Sequence, residues 1–278
     1  MLRCNDMSAV AVIMSVYKND KLNWFKEAIE SLKSQDIGWE NINLYLGIDG
    51  ELPMEVEEYI SELSPYKVIK NEKNMGLAAT LNKLISELDS EEFIFRMDSD
   101  DVCMPERIAT QLSFMMDNPD IDISGSAIYE VDESLTPVRL RHFYQEHANI
   151  SKNMHKGTAV GHVTVCFRRS ALNRLGGYST SYPLNEDIEL WFRAIGKGVR
   201  FGNLDQPLVN VRVSSSFYER RSFVKAKYEF LVYWKGCVDL YGVTYRHLFV
   251  IARFAIRMMP AWIVEKLYKG SLRDKLFR

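Results

Sequence analysis

The opening third of the chain alternates between two hydrophobic periods, and that alternation narrows its architecture more than any other feature. The run AVAVIMSV, from Ala9 to Val16, has the length and valine content of a buried strand. Phe25, Ala28, Ile29 and Leu32 then fall at i, i+3, i+4 and i+7, one face of a helix. INLYLGIDG, ending at Gly50, reads as a second strand, and Pro53 suits the first turn of a helix whose inner face is Val56, Tyr59, Ile60 and Leu63. YKVIK gives a third strand, Leu77, Leu81, Leu84, Ile85 and Leu88 a further helix, and EFIFRMD a fourth strand. This β-α-β-α-β-α-β order predicts an α/β fold, a mostly parallel sheet with helices on both faces. Ligands of such sheets lie at the C-terminal ends of the strands, where MSVYK, IDG and MDSDD all fall.

Two common nucleotide folds are excluded. No GxGxxG follows the first strand and no GxxxxGK[ST] occurs, so neither a dinucleotide fingerprint nor a P-loop is present. The aspartates fail as an EF-hand loop, because Val102 and Cys103 stand where that loop wants Asp or Asn and then Gly. Cys4, Cys103, Cys166 and Cys237 are too dispersed for structural zinc or a disulfide framework. The N-terminal apolar run lacks a small-residue cleavage site, and with reduced thiols it leads to the expectation of a cytoplasmic protein. A formal net charge of -2 gives no overall attraction to nucleic acid, so no nucleic-acid partner is expected.

Asp98, Asp100 and Asp101 are the most demanding local feature. If the chain is still extended, Asp98 and Asp100 share a face and Asp101 crowds the same corner. Carboxylates so close are relieved by solvent, by protonation, by basic partners or by an oxygen-liganded divalent cation. A polar turn after a strand is the simpler account of a lone DxD. Downstream, the pattern turns mixed from Ile121, with strands in IDISGSAIYEV and VRLRHFY, another in HVTVCF, and a helix in NEDIELWFRAI. Asn185 is placed as the N-cap of that helix, and Ile188, Trp191, Phe192 and Ile195 as its buried stripe. Glu186 and Asp187 then sit in the first turn, where the helix dipole favours ionised carboxylates and an aspartate ready to take a proton.

Taken in order, VIMSVYKND, IDG, NMGLAATLN, RMDSDD, PERIATQ, HVTVCFRRSAL, LGGY and EDIELWFR resemble the family 2 glycosyltransferases of the GT-A fold, over about residues 9 to 215. Within that family it resembles bacterial enzymes of O-antigen, capsule and exopolysaccharide assembly. It implies a catalytic domain over residues 1–220, with a nucleotide part over about 1–120 and an acceptor part over about 121–220, followed by a helical extension over 221–278. It also implies that Ser15, Val16, Tyr17, Asp49, Asn74, Gly76, Arg96, Asp98 and Ser99 bind the sugar nucleotide. Asp98 and Asp100 would hold Mn²⁺ or Mg²⁺, Asp187 would be the catalytic base, and His162, Glu186, Trp191 and Arg193 would face the acceptor. The implied reaction is inverting transfer of a hexose or N-acetylhexosamine from a UDP-sugar to a glycan or lipid-diphosphate-linked sugar, giving a β-linkage.

The chain departs from the family pattern at two points. Leu81 precedes Asn82 where many members carry Arg, and VRVSSS replaces the Tyr-Arg-x-His segment, leaving Ser214 where histidine is expected. Two rival readings remain on sequence grounds. DSDDV also satisfies the nucleophile motif of haloacid-dehalogenase-type phosphatases, with Asp98 as nucleophile, and the fold alone is compatible with a non-catalytic sugar-nucleotide or glycan-binding module. Near the C-terminus Arg246, Arg253 and Arg257 form a stripe at i, i+7 and i+11 beside Phe249, Phe254 and Met258. Too interrupted to span a bilayer, it predicts either a helix lying on the anionic inner face of the plasma membrane or one packed on the domain.

Overall fold

The computed structural model describes residues 9–213 and 223–259. Cys4, Ser214, the expected boundary near residue 220 and everything from Pro260 onward lie outside the described residues.

β1 (Val10–Val16), β2 (Ile42–Asp49), β3 (Lys67–Asn71) and β4 (Phe93–Asp98) form one parallel block in the order β3-β2-β1-β4, with Val10 opposite Ile42 and Ser15 opposite Asp98. α1 (Leu22–Lys33), α2 (Met54–Leu63) and α3 (Leu77–Ser86) are the crossovers. On α1 the residues buried are Phe25, Ala28, Ile29 and Leu32, as the spacing predicts. The pleat of β1 divides the interior in two. Val10, Val12, Met14 and Val16 enter the core shared with α1 and α2, whereas Ala11 and Ile13 enter the core beneath α3.

After a two-residue strand, β5 (Val102–Cys103), and α4 (Arg107–Asp117), the sheet continues through β6 (Ile123–Val131) and the hairpin strand β7 (Pro137–Arg141). α5 (His147–Asn153), β8 (Cys166–Arg168), α6 (Arg169–Leu175), α7 (Glu186–Gly196) and β9 (Phe201–Arg212) follow. β8 lies antiparallel between β4 and β6, and β9 runs parallel to β6 before pairing with β5, which makes a mixed sheet of nine strands. The strand expected over HVTVCF is shorter: His162–Thr164 form a 3-10 turn, and pairing begins at Cys166. That turn puts the His162 ring on the same side as α7 instead of in a strand face.

α8 (Phe223–Tyr241) and α9 (Arg246–Met258) make a helical hairpin on the α7 side, with the Phe192 and Tyr233 rings meeting edge to face at 5.6 Å. The arginines of α9 are not presented as an outward basic stripe. Buried Glu229 of α8 pairs with Arg253 and Arg257, Arg253 also donates to the Lys156 carbonyl, and Arg246 lies over the Tyr241 ring. A buried carboxylate needs such partners, and it draws both guanidinium groups inward. Among the described residues no helix is long and apolar enough to cross a membrane.

Candidate active site

The chain turns sharply after β4, and the turn gathers the aspartates. Oxygens of Asp98, Asp100 and Asp101 all lie within 4.8 Å of one another. Arg96, only 3% exposed, donates through both terminal nitrogens to the two oxygens of Asp98, from Nη1 to Oδ2 at 2.6 Å. Asp101 is buried and accepts the Arg212 backbone N–H at 2.9 Å, while the Arg212 guanidinium donates to the Asp100 carbonyl and to Glu27. Burial and the Asp98 charge push Asp100 up to about 6, and burial with its two neighbours holds Asp101 well above the usual carboxylate range. Three carboxylates this close, with the ionisation of Asp100 and Asp101 opposed by burial and by their neighbours, fit a hard divalent cation, which would reverse that opposition.

On the other side of β1, Asp49 ends β2 and ties down the loop that follows β3. Its Oδ1 accepts from Asn71 Nδ2 at 3.0 Å and from Met75 N at 2.7 Å, its Oδ2 accepts from Gly76 N at 2.9 Å, and its carbonyl accepts from Asn74 Nδ2 at 3.4 Å. Oδ2 thus keeps a lone pair for one further donor. Gly50 lets the loop approach, because with φ at +95° a Cβ there would stand 2.8 Å from Asn74 N. Gly76 borders open space at φ +86°. Ser15 sits beside Asp98 in the sheet register and Tyr17 is 36% exposed at the strand end. Val16 is a correction: its side chain is wholly in the core, so only its backbone faces this corner.

Asp20 is a site residue that the sequence reading missed. One of its oxygens accepts from Tyr17 N at 3.0 Å and from Ser99 Oγ at 2.7 Å, which ties the β1 loop to the aspartate turn. Burial, with Asp100 and Asp98 nearby, raises it to about 6. The available signal was an aspartate three residues beyond a strand-end tyrosine, a common turn-forming spacing.

The third group of residues surrounds the start of α7. Asn185 holds the N-cap position but its side chain donates to the Pro183 carbonyl and leaves the helix amides uncapped. Asp187 is raised to about 6 by burial and by Glu186, against the lowering expected from the helix dipole. Desolvation outweighs the dipole here, and a carboxyl near 6 is still a competent base at neutral pH. Tyr178, also missed in the sequence, is buried with its hydroxyl 2.8 Å from His162 Nε2. His162 is held well below its ordinary value by burial and by Arg96, so the ring is neutral. The Arg96 charge acts on His162, Tyr178, Glu186 and Asp187 alike, which joins the aspartate corner and the α7 end into one electrostatic neighbourhood.

Two residues expected to face an acceptor are engaged in other contacts. Trp191 is fully buried, stacked on Phe167 at 6.1 Å and edge-on to Phe201 at 5.7 Å, so it backs the His162 ring. Arg193 pairs with Glu189 and donates to the carbonyls of Leu175 and Gly177, which holds the turn before Tyr178. Asn82 completes that hold, donating to the Tyr178 carbonyl at 2.8 Å and accepting the Tyr178 N–H at 2.7 Å. A cleft of about 440 Å³ between α7 and α8 is lined by none of Asp98, Asp100, Asp101, Glu186 and Asp187, so the site's carboxylates lie elsewhere.

Residues 11–176 match the family model described as glycosyl transferase family 2. An uncharacterized glycosyltransferase of Haemophilus influenzae is 32% identical over 270 residues, spanning 95% of this chain and 98% of its own. The UDP-Gal:alpha-D-GlcNAc-diphosphoundecaprenol beta-1,3-galactosyltransferase of Escherichia coli is 27% identical over 281 residues, spanning 97% and 98% of the two chains. Among solved structures, S. aureus TarS 1-349 in complex with UDP-GlcNAc superposes with a TM-score of 0.63 at 16% identity, covering 90% of this chain and 72% of the other, a likeness of fold.

Proposed function

The chain belongs to glycosyl transferase family 2 and has its GT-A fold, and from that premise we propose that it transfers a hexose or N-acetylhexosamine from a UDP-sugar to a lipid-diphosphate-linked sugar at the inner face of a bacterial plasma membrane, with inversion to a β-linkage. The observation that carries this reading is the pairing of two acidic groups in one field: the cation-fitting corner of Asp98, Asp100 and Asp101, and Asp187, a carboxyl near 6 at the start of α7. The Escherichia coli relative, whose name gives a UDP-galactose donor and a diphosphoundecaprenol acceptor, supports the donor and acceptor classes.

On this reading Asp49, Asn74, Gly76, Ser15, Tyr17 and the Val16 backbone hold the nucleotide, with the spare lone pair of Asp49 Oδ2 meeting an N–H of the base. Asp100, with Asp98 and Asp101, would hold Mn²⁺ or Mg²⁺, which when bound supplies Lewis-acid stabilisation of the leaving diphosphate. Arg96 holds Asp98 in place through both of its oxygens. Asp187 takes the proton from the acceptor hydroxyl as that oxygen attacks the anomeric carbon and the carbon–oxygen bond to the diphosphate breaks. Such general-base help is worth about 10²- to 10⁴-fold. Glu186 and the neutral His162–Tyr178 pair border the space where the acceptor hydroxyl arrives. The α8–α9 hairpin serves as the extension that brings the enzyme to its acceptor.

The test is turnover of a panel of UDP-hexoses and UDP-N-acetylhexosamines with a synthetic lipid-diphosphate sugar, with Mn²⁺ or Mg²⁺ and with EDTA. Metal-dependent UDP release with one donor, and a β-anomeric product by NMR, are expected. A retained anomeric configuration overturns the single-displacement mechanism, and absence of release with every donor favours the non-catalytic binding module. The phosphatase reading loses ground on geometry as well, since both oxygens of its nucleophile Asp98 are gripped by Arg96.

A further inference from the structure

The α8–α9 hairpin is amphipathic in an inverted sense. The face of α9 turned onto the domain carries His247, Val250, Arg253 and Arg257, whose arginines are taken up by Glu229. The face turned to solvent carries Leu248, Ile251, Ala252, Ala255, Met258 and Met259, all exposed and all apolar. At 100° per residue these six fall within one stripe about 120° wide. Across the seam where Trp234 meets His247 at 4.6 Å and Phe230 meets Phe254 at 5.1 Å, α8 exposes Val224, Leu231, Trp234 and Val238 in a stripe that also holds Lys227. Val243 and Tyr245, 85% and 63% exposed, continue it around the hairpin turn. Contiguous exposed apolar surface of this kind marks a docking face.

We infer that this face inserts into a lipid bilayer through its apolar side chains, and that the α9 arginines contribute to the fold instead of to lipid headgroups. Three observations favour lipid over another occupant. From Val243 to Met259 the sequence holds three arginines and no carboxylate, so nothing along α9 is repelled by anionic headgroups. Trp234 and Tyr245, amphipathic rings suited to the headgroup level, stand at the seam and at the turn. The hairpin is also continuous with the candidate site: Lys225, near the start of α8, acts on Glu186, and Tyr233 packs on Phe192 of α7. This choice rests on the lipid-linked acceptor of the proposed function, because a face lying in the bilayer beside Glu186 and Asp187 keeps an acceptor's hydrocarbon chain in lipid while its sugar meets the site. The consequence differs from charge-driven adsorption. Apolar insertion requires no anionic lipid and survives salt that screens surface charges.

The experiment is flotation of the full-length protein with vesicles of phosphatidylcholine alone and of phosphatidylcholine with phosphatidylglycerol, at low and high potassium chloride. The parent protein is expected to float with both, with less than about a twofold loss on raising the salt. The double variant Leu248→Asp, Ile251→Asp is expected to lose about tenfold or more of its bound fraction. Both positions are exposed, and an unchanged circular dichroism spectrum and thermal midpoint identify the variant as folded. Flotation only with the anionic vesicles, equal flotation of the variant, or a dimer that the variant splits without either protein binding vesicles each overturns the inference. UDP release is measured separately. Failure of the transferase reading shows as a floating protein without turnover, and failure of the lipid face as turnover with no effect of the two aspartates on flotation.

Discussion

Arg96 holds both oxygens of Asp98 from two residues back along β4, a bidentate pair between neighbours on one face of the same strand. The Arg96 side chain is almost wholly buried, and its Nε has no partner among the described residues, so the carboxylate is its main electrostatic support. Breaking a fully buried pair by removing one member typically costs about 3–5 kcal/mol, and solvent at Asp98, 35% exposed, reduces that cost here. Arg96→Met is therefore expected to lower the thermal midpoint in EDTA. Mn²⁺ or Mg²⁺ is expected to restore more stability to the variant than to the parent, because Asp98 becomes an uncompensated ligand and binding to the native state stabilises it by mass action. Thermal melts across a metal titration measure both effects.

Asp100 supplies the opposite perturbation. Its folded value near 6 lies above its ordinary 3.8, so this carboxyl adds stability below about pH 4 that is lost as the pH rises through about 6. Asp100→Asn removes the penalty. In EDTA at pH 7.5 the variant is expected to be more stable than the parent, by about 1–2 kcal/mol, with the gain vanishing near pH 4. The metal-dependent rise in midpoint is expected to disappear as well. Melts at the two pH values, each with and without metal, distinguish a ligand from a mere neighbour.

The parallel block was legible because its signals are local. Four strands separated by helices with a 3.6-residue stripe admit few other arrangements, and the buried face of α1 agrees residue for residue with its spacing. The candidate site was legible where a motif announced it and illegible where tertiary contacts made it. Asp20 is ordinary in sequence and enters through Ser99, 79 positions away. Tyr178 enters through His162, and Asn82 through a backbone it meets across 96 positions. Trp191 and Arg193 misled for the converse reason: both belong to a helix that begins at the site, and their i+4 and i+6 positions relative to Asp187 turn them into the core and onto the Gly177 turn. The α9 arginines left two readings open, a stripe facing anionic headgroups or a helix packed on the domain, because sequence cannot show that Glu229, on another helix, draws two of them inward.

Gly177 joins two of these unseen relationships. At φ +81° it occupies a conformation costly for any residue with a Cβ, and a Cβ placed there would stand 2.4 Å from Asn82 Oδ1. Asn82 would have to release the Tyr178 backbone it brackets. Gly177→Ala is expected to cost about 2–4 kcal/mol in urea unfolding, through backbone strain together with the lost hydrogen bonds. Turnover is expected to fall further than stability explains, since Tyr178 and His162 shift against Asp187. Comparing kcat at a temperature where the variant is fully folded isolates the second effect.

Asp187 carries the strongest pH prediction. Its ionisation is opposed by burial and by Glu186, which places the native value near 6. If its carboxylate is the base, kcat/KM falls about tenfold per pH unit below 6 and levels off above it. The sign for stability is the reverse: the protonated carboxyl favours the native state, and this contribution fades as the pH rises from about 4 through 6. Asp187→Asn fixes the neutral form, so it is expected to abolish transfer, leave UDP-sugar binding unchanged and raise the thermal midpoint at pH 7.5 by a few degrees. A residue that only caps α7 has a different signature, a lowered midpoint with turnover reduced in proportion. The pH–rate profile of the parent together with the midpoint of the variant therefore separates a base held ready at a cost in stability from a helix-end charge.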